Sequence, residues 1–189
     1  MTITKTLLSA TTAFALSAGI AMSASHSMEN PMVGGAAMFA DKNIVENAVN
    51  SADHTTLVAA VTAAGLVETL QSEGPFTVFA PTNAAFDALP AGMVETLLEP
   101  GNKDTLVKIL TCHVVATSVM SDALQGMIAD DDGKHPVPTV GGCTLQASYE
   151  GDMITLEDEN GGTAMVTIAD VVQSNGVIHV IDGVLLPKM

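Results

Sequence analysis

The chain contains no arginine and no tryptophan, only one tyrosine, and six lysines against 21 acidic residues, giving a formal net charge of −15 over 189 residues. Nucleic-acid binding is therefore excluded, because phosphate neutralisation needs clustered Lys or Arg and no basic stripe is present. Scarce aromatics also remove the stacking platforms that single strands use. An anionic membrane surface is disfavoured on the same electrostatic ground, while cations and basic partner surfaces are favoured.

Catalytic and cofactor signatures are missing as well: there is no GxSxG elbow, HExxH helix, P-loop, GxGxxG turn or CxxC pair. A triad can be assembled from distant residues, so His113 and His179 stay formal candidates for a general base. Both fall on apolar faces, where the alternative is a core histidine with bonded ring nitrogens. Asp182 projects to the opposite side of its strand from His179, which argues against a local dyad. No catalytic residue and no cofactor is expected.

What is present suffices for one domain. Hydrophobic residues make up 48% and charged residues 14%, enough to bury a core and unlike a disordered acidic tail. The first residues carry Lys5, an apolar run from Leu7 to Met22 diluted by Thr and Ser, and then small residues. This reads as a secretory signal over residues 1–24. It is too short and mixed to cross about 30 Å of hydrocarbon, and no later stretch approaches the roughly 20 apolar residues of a span. The mature chain is expected to be exported, periplasmic or extracellular. Cys112 and Cys143 then meet an oxidising compartment, either paired in a disulfide or as two separate buried thiols.

Residues 25–42 carry Pro31, paired glycines and no sustained periodicity, and read as a flexible leader to a domain over 43–189. Met22, His26, Met28, Met32 and Met38 cluster around it, a set of soft ligands that would suit Cu(I). Acidic turns at Asp130–Asp132 and Glu157–Glu159 could hold calcium weakly, without EF-hand spacing, or be solvated charge that protects strand edges. A periplasmic metal-binding protein is thus the alternative reading.

The first half has helical spacing. Ile44, Val45, Ala48 and Val49 share a face, Asp53 is placed to cap a second helix carrying Leu57, Val61 and Ala64, and Gly65 interrupts that stripe. Phe76–Ala80 is a short buried strand, followed by a helical turn that Asn83 can cap. Leu106, Leu110 and His113 lie on one face of a later helix. Beyond it the period changes to two: Cys143, Leu145, Ala147 and Tyr149 alternate with polar residues. Asp158–Gly162 has hairpin chemistry between two strand-like runs, and Val177–Asp182 is apolar on both faces. Helices first and antiparallel strands later predict an α+β domain.

Three stretches taken together resemble the fasciclin-domain family: TVFAPTNAAF from Thr77 to Phe86, the histidine in Cys112-His113-Val114-Val115, and NGVIHVIDGVLLP from Asn175 to Pro187. They stand in the order of the family's first box, central Tyr-His motif and second box. The resemblance implies a compact wedge or sandwich of about seven strands with several helices, exported, non-enzymatic, and used in cell adhesion or matrix association through a protein or surface-glycan partner. It also implies site residues. His113 matches the motif histidine, and Asp170 with Val171 falls where adhesive members carry an Asp-Ile pair, which makes these three the candidate partner-binding residues. Thr82, Asn83, His179 and Asp182 are implied as scaffold within the boxes. The chain departs from the pattern with Cys112 in place of Tyr and Val171 in place of Ile.

Overall fold

The computed structural model describes residues 30–188, and at its centre two buried strands run side by side in parallel. These are β3 (Phe76–Pro81) and β9 (Gly176–Ile181), each buried at every position after the first. Five consecutive buried residues need cover on both faces, which explains why neither strand alternates apolar with polar. On one face Val78, Ala80, Ile178 and Val180 join Leu57, Val61, Leu106 and Leu110 in a core beneath helices. On the other, Phe79 and Ile181 join Leu145, Leu156, Val166 and Leu185 inside the curl of the sheet.

The helical layer precedes most of the strands, as the spacing predicts. It comprises α1 (Ile44–Ala48), α2 (Thr55–Ala64), α3 (Val67–Gln71), α4 (Asn83–Asp87), α5 (Met93–Leu98) and α6 (Lys103–Thr111). Gly65 closes α2 in the left-handed conformation, so the interruption in the stripe is a helix end. The strand-rich half follows with β4 (Val114–Val115), helix α7 (Ser121–Asp130), β5 (Lys134–Pro138), β6 (Thr144–Glu150), β7 (Met153–Glu157) and β8 (Thr163–Gln173). Among the described residues the main sheet has seven strands in the order β4-β3-β9-β8-β7-β6-β5. The fold is α+β.

That sheet nearly closes. The loop between β5 and β6 returns to the opposite edge, where Val140 N–H donates to the Val114 carbonyl at 2.8 Å and Gly141 N–H to the Thr111 carbonyl at 3.0 Å. A Cys112–Cys143 disulfide, with Cα atoms 5.5 Å apart, fastens the same junction. Gly141 permits the approach: a Cβ there would lie 2.7 Å from Thr111 Oγ1 and 2.8 Å from the Cys112 nitrogen. Joining the two edges leaves few strand groups open to another chain.

The segment expected as a flexible leader is packed where the structure describes it. Its residues from Pro31 fold into a hairpin of β1 (Met32–Val33) and β2 (Ala36–Ala37), and Val33 and Met38 are buried in the helical core. Gly34 N-terminal to the second strand has φ +58°, and a Cβ there would sit 2.3 Å from Ser51 Oγ, so only glycine fits. Residues 1–24, expected to be a secretory signal, together with His26 and Met28 of the soft-ligand set, lie outside the described residues. Met38 is in the core and Met32 is 59% exposed, so these two do not share a ligand set.

Candidate functional site

The motif residues are held by backbone hydrogen bonds. His113 follows α6 and is buried. The Leu185 N–H donates to its Nε2 at 2.9 Å, so Nδ1 carries the hydrogen and donates to the Ile109 carbonyl at 2.8 Å. Burial pushes its pKa down to about 4, against weaker opposing effects of the Ile109 carbonyl and the Asp158 charge. A second proton would also set an N–H against the Leu185 N–H. His113 is therefore neutral and internal, which corrects its assignment as a partner-binding residue. Val171 is corrected too: it is wholly buried in the helical core, because the strand alternation turns it inward.

Asp170 sits between those two cases. It occupies an irregularity in β8, is half-buried, and has φ 58°, a left-handed backbone that Asp tolerates better than most residues. This bulge aims the carboxylate at the start of α7. Oδ1 accepts the Ser121 N–H at 2.7 Å and Oδ2 accepts the Ser121 hydroxyl. The helix offers no side-chain cap of its own at Met120, so a carboxylate from across the sheet satisfies a terminal N–H and meets the positive end of the helix dipole.

The backbone of the same bulge orients His179. Asp170 N–H donates to His179 Nδ1 at 3.2 Å, leaving the hydrogen on Nε2, which donates to the Val119 carbonyl at 2.8 Å. The ring stacks on Phe79, its register partner in β3, with centroids 5.7 Å apart. Burial lowers the His179 pKa, opposed by the Val119 carbonyl and the Asp170 charge. Ser121, Asp170 and His179 thus form a connected trio, but in an order unlike a hydrolase triad. There the imidazole stands between hydroxyl and carboxylate; here the hydroxyl faces the carboxylate and the imidazole hydrogen-bonds only to backbone.

Box residues fasten elements at longer range. Thr82 caps α4, accepting the Ala85 N–H at 3.3 Å. Asn83 does not cap that helix. Its Oδ1 accepts the Thr56 N–H at 3.0 Å and its Nδ2 donates to the Ala52 carbonyl at 2.8 Å, so it closes the start of α2, where Asp53 makes no side-chain cap. Asp182 Oδ1 accepts the Met165 N–H at 2.7 Å, tying β9 to β8.

Three fasteners of this kind carry no label in the sequence pattern. Asn175 Oδ1 accepts the Ile44 N–H at 3.0 Å while its Nδ2 donates to the Leu70 carbonyl at 2.7 Å, joining the second box to α1 and α3. Asn47 exchanges bonds with the backbone of Phe39 at 3.0 and 2.7 Å and donates to Gln173, holding the amino-terminal hairpin. Asp158, within an acidic run expected to be solvated, is buried; it accepts N–H bonds from Asn160, Gly162 and Leu186, each at 2.8 Å. Elsewhere in the runs Asp131 pairs with His135 and Glu157 with Lys134, both at 2.6 Å. Among the described residues no three His, Cys, Asp or Glu side chains converge as ion ligands.

Comparison with known proteins agrees with this architecture. The fasciclin domain model matches residues 52–187, which includes both boxes and the disulfide. The chain belongs to the fasciclin-domain family. Its relatives include protein sll1483 of Synechocystis sp., 48% identical over 85% of this chain and 82% of that one. The transforming growth factor-beta-induced protein ig-h3 of Sus scrofa is 39% identical over 69% of this chain, which spans 17% of that much longer protein. A solved FAS1 domain pair from the insect cell adhesion molecule fasciclin I superposes with a TM-score of 0.66 at 18% identity, covering 77% of this chain and 51% of that one. The family match covers the seven-stranded sheet and the helices from α2 onward. No helix among the described residues is long and apolar enough to cross a membrane.

Proposed function

We propose that this fasciclin domain is an exported, non-enzymatic association module that attaches to a protein or surface-glycan partner on a cell or in a matrix. The observation that carries the reading is the family match over residues 52–187, since a solved member of the fold comes from a cell adhesion molecule. The fate of the histidines supports the non-enzymatic part. His113 and His179 have both ring nitrogens engaged with backbone groups, so neither is free to take a proton from a nucleophile. With His113 and Val171 internal, partner contact falls to exposed side chains around the half-buried Asp170 and elsewhere on the surface.

The test is deletion of the gene from its source organism, with the full chain returned on a plasmid. Attachment to surfaces and to other cells is expected to fall and to be restored. Unchanged attachment in the deletion strain would overturn the reading.

A further inference from the structure

Protein interiors seldom contain voids much larger than a water molecule. Between α1, α2, α3 and the β3–β9 face, however, lies a cavity of about 300 Å³. That volume is at the lower bound of small-molecule pockets, roughly 300–1,000 Å³. Its walls are mainly aliphatic, with Leu57, Val61, Leu70, Val78 and Ile178 among them, and Met38 supplies an adaptable thioether. It is not sealed from solvent: Val49, Thr62 and Gln71 line it and are themselves exposed.

Two buried histidines border it; His113 has both ring nitrogens bonded to backbone, and His54 does not. His54 is 2% exposed, its Nδ1 is 2.8 Å from Ser51 Oγ, and its Nε2 has no hydrogen-bond partner. Burial lowers its pKa; the Ala80 carbonyl opposes this without meeting hydrogen-bond geometry, so the ring is neutral at pH 7. An unmet buried ring nitrogen is costly, and nearly all such groups in folded proteins find a partner. Because the Ser51 hydroxyl can either donate to Nδ1 or accept from it, Nε2 is a donor in one tautomer and an acceptor in the other. A ligand hydroxyl satisfies both.

We propose that the cavity is a binding site for a compact, mostly apolar molecule bearing one hydroxyl, with aliphatic walls burying its body and His54 Nε2 anchoring its oxygen. Phe79 and His113 also border the cavity, and the proposal does not depend on the adhesion reading.

Equilibrium dialysis of the oxidised full chain against 2-naphthol and against naphthalene separates body from anchor. Saturable binding of 2-naphthol is expected. His54→Leu should weaken 2-naphthol about three- to tenfold, the effect of one hydrogen bond, and leave naphthalene within about twofold. Val61→Phe, which fills the cavity, should abolish binding of both. Nuclear Overhauser contacts from 2-naphthol to the Leu57 and Val61 methyls of the unaltered chain locate the ligand even if a variant fails to fold. No saturable binding of 2-naphthol, no contacts to those methyls, or an equal response of both compounds to His54→Leu overturns the proposal.

Discussion

The Asp170 carboxylate accepts both the backbone N–H and the hydroxyl of Ser121, from a backbone held at φ 58°. A position that resembles an adhesive motif is thus the cap of α7, supplied by a residue 49 positions away in sequence. Removing the carboxylate should cost more than a typical cap, because Ala also resists the left-handed backbone. Asp170→Ala is expected to lower unfolding free energy by about 2–3 kcal/mol, and Asp170→Asn, which tolerates that φ, by about 1 kcal/mol. Urea titration measures both. Equal, negligible losses would mean that the carboxylate does not hold the helix.

The clasp between Cys112 and Cys143 joins the ends of a segment spanning 31 positions and lies where the sheet edges meet. Reduction is expected to lower stability by roughly 2–4 kcal/mol through the released unfolded chain. The double variant Cys112→Ser/Cys143→Ser should unfold at one urea midpoint with or without dithiothreitol. Gly141→Ala should destabilise the oxidised chain as well, by about 1–3 kcal/mol, since its methyl meets Thr111 Oγ1 and the Cys112 backbone. A midpoint insensitive to dithiothreitol in the unaltered chain contradicts this account.

Acid should weaken the fold before most carboxylates titrate. His113 takes a proton near pH 4 when folded and near 6.5 when unfolded, chiefly because burial penalises its cation. Between those values the unfolded chain holds more protons, so the His113 contribution is complete above about pH 6.5 and is lost as pH falls toward 4, by about 3 kcal/mol. Burial also lowers the His54 and His179 pKa values, and their contributions have the same sign. Urea midpoints measured from pH 7.5 to 4.5 should fall steadily, and His113→Gln should flatten the profile while lowering its plateau. A flat profile in the unaltered chain would place the His113 proton outside this scheme.

The range of each interaction decides how legible it is in the sequence. The period-two run through Leu145 and Ala147, and the double-sided apolar strand through Ile178 and Val180, give their burial directly because neighbours along the strand set it. His113 shared a stripe with Leu106 and Leu110, so the pattern already pointed inward, and only the motif carried over by resemblance pointed outward. Partners far along the chain left no such trace. Local spacing points Asn83 to the nearest helix, whereas its bonds go to Thr56 and Ala52, which no local spacing reveals. Asp158 looked solvated within a charged run because its third partner, Leu186, is 28 positions away. The hairpin around Gly34 escaped for a different reason: strands of two residues have no period, and the segment is held by Val33 and Met38 in the core.

Central to the account is that the motif histidines are neutral fasteners, each fixed in one tautomer by backbone groups. Nitrogen-15 NMR of the two imidazoles in the folded, oxidised chain tests it most directly. At pH 6, His113 should carry its hydrogen on Nδ1 and His179 on Nε2, with neither ring titrating near 6.5. Either ring titrating near 6.5, or showing the opposite tautomer, would contradict it.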